Sequence, residues 1–163
     1  MGDPDFDEFA AAAWPRLHRA AYLLTGDHHL AEDLAQTALV RTFARWRTVR
    51  RADALAYTRR VLVNLNIDRA RRRHGTVEVG DAGLDRMAAR PDLRADQRDQ
   101  VVRLLQTLTE RERRVVVLRH YLDLSELDVA AELGIAPGTV KSALSRALTK
   151  LRVAADEYQE ARP

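Results

Sequence analysis

The stretch LGIAPGTVKSALSRALTKL, residues 133–151, sets a glycine and a proline close together and then runs on in unbroken helical rhythm. The fixed φ of Pro137 suits a first helical turn, and Val140, Leu144, Ala147, Leu148 and Leu151 then fall on one apolar stripe. At about 100° per residue, Ser142, Ser145, Arg146 and Thr149 point away from that stripe, with Lys141 on its flank. Upstream, Ser125 followed by Asp128 forms a variant capping box, Val129, Ala130 and Leu133 supply an inner face, and Gly134 ends the helix. Two helices joined through such a turn predict a helix-turn-helix, whose second helix can enter a DNA major groove. An ordinary helical hairpin shares the pattern, so the rest of the chain has to choose.

Composition narrows the choice. With 163 residues, 46% of them hydrophobic, the chain can build one core or two small ones. The absence of cysteine excludes disulfides and thiolate metal sites. No apolar run approaches the roughly 20 residues of a membrane span and no signal peptide is visible, so a cytoplasmic protein is expected. The net charge is only +3, but residues 9–73 hold 13 Arg against 5 Asp and Glu, a local excess of +8. Residues 99–163 hold 10 basic and 10 acidic side chains. A basic first half points to a polyanion, because Arg and Lys displace counterions from phosphates. The preference for Arg over Lys, 25 to 2, is also what a GC-rich genome produces, so charge alone is not decisive.

The periodicity predicts an all-α chain of two helical domains around a flexible linker, the second domain carrying the helix-turn-helix. Phe6, Phe9, Ala13, Leu17, Ala20 and Leu24 form one stripe; the TGD of 25–27 breaks it and offers Asp27 as an N-cap. Leu30, Leu34, Ala38 and Phe43 form a second stripe, ending near Trp46. After the basic loop 47–53, Leu55, Val61, Leu62 and Leu65 line a third helix that runs into the arginine cluster 69–73. Residues 74–96 contain Gly75, Gly80, Gly83 and Pro91 and no sustained period, and read as a linker with at most a short helical turn. Order resumes near Gln97: Val101, Leu104, Leu105 and Leu108 make a fourth stripe, and Thr109 with Glu112 makes a capping box. The run Val115–Val117 is strand-like by propensity, but the preceding cap and the lack of a partner strand predict a buried helix.

Catalytic patterns are absent. His28, His29, Glu32 and Asp33 share a helix turn, yet nothing elsewhere completes a metal site, and the acidic pair suits a helix start. No Gly-rich phosphate loop or triad pattern appears. Neither an enzyme nor a cofactor nor a metal is expected. A stand-alone helix-turn-helix regulator is the main alternative, although such a protein usually pairs with itself on symmetric half-sites, whereas this chain carries two unlike basic modules. A purely protein-binding adaptor is disfavoured by the +8 segment.

Three stretches, LAEDLAQTALVRTFARW (30–46), LAYTRRVLVNLNIDRARRR (55–73) and LTERERRVVVLRHYLDLSELDVAAELGIAPGTVKSALSRALTKLR (108–152), together resemble bacterial RNA polymerase sigma factors of the extracytoplasmic-function type. YLLTGDHHLAEDL at 22–34 is similar to a short, SigE-like actinobacterial subgroup. The resemblance covers nearly the whole chain. It implies region 2 over residues 1–73, which grips the polymerase clamp and opens promoter DNA, a linker over 74–96, and region 4 over 97–163. The partners it implies are core RNA polymerase, through the β′ clamp coiled coil and the β flap, and promoter DNA. An anti-sigma inhibitor is a further candidate partner, and the free protein is expected to be a monomer.

Carried onto this sequence, the resemblance gives each polar cluster a role. Asp33, Gln36 and Thr37 share a helix face at helical spacing and become the clamp-docking patch. Arg60, Asn64 and Asp68 recur every four residues as a polar ladder, and the resemblance sets them on the unpaired non-template strand of the minus-ten element. Asn64 can both donate to and accept from a base edge, while Arg59, Arg60, Arg69 and Arg72 can neutralise phosphates. The loop 47–53 becomes the specificity loop, since an extruded base needs a pocket outside a regular helix. Trp46 and Tyr57 flank it; Trp46 reads as a core anchor. Lys141, Ser142, Ser145 and Arg146 are assigned to the major groove of the minus-thirty-five element. Two positions depart from the family pattern: Ala143 stands where Arg is common and Ala136 where a polar cap is common. They imply fewer base contacts and greater reliance on phosphates and DNA shape.

Overall fold

The computed structural model describes residues 2–75 and 100–161, and every regular element among them is helical. The chain divides into two compact units, Met1–Gly75 and Thr76–Pro163. Apart from His74 and Gly75, the expected linker lies outside the described residues.

In the first unit α1 (Pro4–Thr25), α2 (His28–Ala44) and α3 (Ala54–Arg73) pack on one another pairwise. Local chemistry sets the ends. The carboxylate of Asp3 accepts from the amides of Asp5 (3.0 Å) and Phe6 (3.3 Å), with Pro4 in the first turn. Gly26, at φ 69°, turns the chain, and Asp27 Oδ1 then accepts from Leu30 N at 3.0 Å to start α2 as anticipated. The core joins Leu17, Ala20, Ala21 and Leu24 of α1 to Ala31, Leu34, Ala35 and Ala38 of α2 and Leu62, Val63 and Leu65 of α3. So much alanine on α2 lets its neighbours approach closely.

Where the α2 stripe was expected to end on Phe43, it ends on Thr42. Phe43 is 48% exposed, and its ring lies 4.8 Å from that of Phe6, while Thr42 is fully buried. The hydroxyl of Thr42 meets that of Thr58 on α3 at 2.9 Å, and each lies 2.8 Å from the carbonyl four residues back on its own helix. A buried hydroxyl that satisfies itself in this way can hold a core position, so apolar character alone misassigned the register. On α3 the inner place expected for Val61 goes to Val63, and Val61 is half-buried.

The second unit opens with α4 (Gln100–Leu105) and α5 (Glu110–Val116), continues through a π-helical turn at Val117–Tyr121, and ends with α6 (Glu126–Leu133) and α7 (Pro137–Glu160). The Thr109–Glu112 capping box forms in both directions, at 3.2 Å and 3.1 Å. Val115 to Leu118 are buried in helix, as the cap predicted; the widening of that helix to π form was not foreseen. Buried Arg113 donates through Nε to Leu105 O (3.0 Å) and through Nη2 to Leu108 O (3.1 Å), closing the α4–α5 turn. Val101 was placed inside but is 52% exposed, and Val102 takes the core position.

The helix-turn-helix forms as read. Ser125 Oγ accepts from Asp128 N at 3.1 Å, and Gly134 ends α6 at φ 65°. Pro137 sits in the first turn of α7, whose N-cap Ala136 offers no side-chain hydrogen bond. The buried residues of α7 are Val140, Ala143 and Ala147; Leu144 and Leu151 are half-buried and Leu148 is 40% exposed.

Candidate nucleic-acid interface

In the first unit the α2 patch is surface: Asp33 and Gln36 are exposed and Thr37 is half-buried. Gln36 Nε2 donates to Glu32 Oε1 at 3.2 Å, one turn back along the helix. Val40, 66% exposed, extends the same face by another turn. It was missed from the sequence because an isolated valine beside the buried Leu39 reads as core until the helix rotation is known.

The loop after α2 is pinned at its base. Trp46 is buried, as read, between the rings of Phe6 and Phe9, each 5.1 Å away. Arg51 stacks its guanidinium 3.8 Å over the indole and donates from Nη1 to Trp46 O at 2.7 Å. The loop, a 3₁₀ turn at Arg51–Asp53 and the start of α3 then enclose a cleft of 510 Å³. Arg45, Thr48, Arg50, Asp53, Tyr57 and Arg60 are among the residues that line it. Its volume falls in the range of ordinary small-molecule pockets, and it combines guanidinium donors, a carboxylate acceptor and one aromatic ring. Arg50 and Asp53 pair at 3.7 Å but are largely solvent-exposed, so that contact is weak and readily exchanged. A planar base with polar edges matches this lining.

The ladder on α3 meets the cleft at one end. Arg60 belongs to both, Asn64 is exposed one turn further, Asp68 is half-buried, and Arg69 and Arg72 are exposed toward the helix end. The structure therefore brings Arg60 together with Tyr57 and the loop. The outer arginines lie further along the same helix, where they can follow a backbone but cannot reach one pocket.

In the second unit Lys141, Ser142, Ser145 and Arg146 are all exposed on α7. Ser142 Oγ donates to Thr139 O at 3.2 Å, and Lys141 Nζ lies 3.9 Å from Glu126 Oε2 of α6. Arg146 Nε lies 3.7 Å from Glu112 Oε1, and Lys150 Nζ reaches both oxygens of the same carboxylate at 2.9 Å. Ala143 needs correcting: it is fully buried, three residues after Val140 and four before Ala147 on the inner stripe. An absent outward contact was read there, but the position faces the core and removes nothing from the groove-facing surface.

Comparison with known proteins agrees with this two-part surface. The first part of the chain matches the model of Sigma-70 region 2 over residues 11–76, and the last part matches Sigma-70, region 4, over residues 98–151. The chain is 41% identical to an RNA polymerase sigma-E factor of Streptomyces avermitilis over 155 residues, covering 91% of this chain and 83% of that one. It is 33% identical to the ECF RNA polymerase sigma factor SigL of Mycobacterium tuberculosis over 160 residues, covering 93% and 87%. Among solved structures it is similar to the sigma factor RpoE of Bartonella quintana, crystallised with the anti-sigma factor NepR. That match has a TM-score of 0.71 and 26% identity, and covers 94% of this chain and 98% of that one.

Proposed function

The chain belongs to the RNA polymerase sigma factors of the extracytoplasmic-function type, and from that premise we propose how its surfaces divide the work of transcription initiation. Residues 1–73 act as region 2, docking core polymerase through Asp33, Gln36, Thr37 and the added Val40, and holding minus-ten DNA along Arg60, Asn64, Asp68, Arg69 and Arg72. Residues 74–96 link, and residues 97–163 act as region 4, with Lys141, Ser142, Ser145 and Arg146 toward the minus-thirty-five element. The chain performs no catalysis; it supplies recognition and strand capture to the polymerase, and it works in the cytoplasm, where that enzyme is. An anti-sigma protein that covered these faces would silence it.

The observation that carries this reading is the cleft between the loop and α3, where Tyr57 and Arg60 stand beside an exposed Asn64. A flipped base can stack on the ring, bond its edge to the guanidinium and leave its phosphates to the outer arginines. Capturing unpaired bases offsets the cost of melting. The test is reconstitution: the purified chain mixed with core polymerase should co-elute with it, and the complex should start transcripts at discrete sites on genomic DNA. A chain that stays apart from core polymerase but binds palindromic duplexes as a dimer would replace this reading with that of a stand-alone regulator.

A further inference from the structure

Glu112 serves two structures at once. Its Oε2 accepts the Thr109 amide at 3.1 Å to complete the cap of α5, and both its oxygens receive Lys150 Nζ at 2.9 Å from α7. The residue is 3% exposed, whereas the side chains of Arg146 and Lys150 remain 52% and 42% exposed. A nearly buried carboxylate therefore lies beneath two half-exposed cations one helical turn apart. Arg146 Nε is the guanidinium nitrogen nearest it, at 3.7 Å from Oε1. That orientation leaves the two terminal Nη groups for an outside acceptor, and those are the groups that fork onto the O6 and N7 of a guanine. An arginine alone on a helix surface has several rotatable bonds to immobilise before it can make such a contact, and an anchored Nε has already spent much of that freedom.

We propose that Glu112 is a positioning residue for upstream-element recognition: from beneath α7 it aims Arg146 at one base, and Lys150 balances the rest of its charge. The inference rests on Arg146 reading a base. Its test runs on the full chain in holoenzyme, with promoter fragments whose upstream element is randomised and the bound fraction sequenced. Glu112→Gln is the informative change, since glutamine still closes a capping box while the anionic anchor is lost. With the wild-type chain one column of the selected element should favour guanine. Arg146→Ala should flatten that column, and Glu112→Gln should reduce its preference by about tenfold, within what one bidentate contact supplies. In the double variant Glu112→Gln should add nothing further. Retention of the full preference in Glu112→Gln, with the column flattened in Arg146→Ala, would overturn the positioning role and leave base reading intact. An unflattened column in Arg146→Ala would overturn base reading and the inference with it. Should Glu112→Gln unfold the unit, every column flattens, and Lys150→Met then decides. That variant leaves the cap of α5 intact and Arg146 beside Glu112, so the column should persist; its loss would refute the proposal.

Discussion

At the scale of single residues, the two units treat their polar side chains differently. In the first, the candidate contacts stand on an open face with partners only along their own helix, as Gln36 has in Glu32. Substitution there should change binding and spare the fold. Asp33→Arg, on an exposed position, should shift stability by less than about 0.5 kcal/mol and abolish co-elution with core polymerase. Circular dichroism and gel filtration check both halves, and undiminished co-elution would remove Asp33 from the docking face. Asn64→Ala should impair opening of promoter DNA far more than initial binding of the duplex, because α3 is assigned to unpaired bases. Permanganate reactivity of melted thymines reports opening and gel shifts report binding. Full rescue of the variant on a premelted bubble would assign Asn64 to nucleating the melt; a defect on both templates would assign it to holding a captured base; wild-type opening on duplex would mean the ladder is ordinary surface.

At the scale of elements, most ends are set by a few local hydrogen bonds, and these were readable in advance. Ser/Thr/Asp caps and positive-φ glycines leave a signature within four residues of sequence, because the groups they satisfy belong to the same turn. Gly134 isolates one such contribution. It sits at φ 65° with no atom within 4 Å of where a Cβ would stand, so replacement meets only the backbone penalty of the left-handed region. Gly134→Ala should destabilise the second unit by about 1 to 2 kcal/mol, and Gly134→Asn by less, since asparagine tolerates that conformation better. Urea midpoints followed by far-UV dichroism measure the difference, and an alanine variant as stable as wild type would show that the α6–α7 turn relaxes to another geometry. Rotation of the helices about their axes was harder to foresee. The stripes of α2, α4 and α7 were each misassigned by a residue or so, at Phe43, Val101 and Ala143. In each case a small or hydroxylic residue held the inner position while a larger apolar residue lay outside or at the edge.

At the scale of the whole molecule, separate cores imply separate stabilities. Both tryptophans, Trp14 and Trp46, lie in the first unit, so indole fluorescence reports on that unit alone, while far-UV dichroism reports on both. Leu17 is 1% exposed at the centre of the first core. Leu17→Ala should destabilise that core by about 2 to 5 kcal/mol. The fluorescence transition should move to lower urea, and the part of the dichroism change that lacks a fluorescence counterpart should stay where it is. A common shift of both signals would mean that the two units unfold as one cooperative body. The same separation suits the proposed division of labour, since a defect in one core would leave the other able to hold its segment of DNA.

What the sequence determined by itself is local and periodic: all-helical architecture, two amphipathic blocks, the caps at Asp27, Thr109 and Ser125, the turn at Gly134, and the groove-facing side of α7. Each follows from interactions between residues a few positions apart, so a short window contains all the terms. Family resemblance, carried by three motifs in order, added the roles. Only tertiary structure decided the rest. Thr42 and Thr58 could be recognised as core only once α2 and α3 lay side by side, because the contact between their hydroxyls spans 16 residues of chain. The cleft beside Tyr57 depends on Arg51 folding back over a buried Trp46, and the carboxylate beneath Arg146 comes from a helix 34 positions earlier. Such contacts depend on which helices meet and at what rotation, and that is settled by the packing of whole faces, a quantity no short stretch of sequence contains.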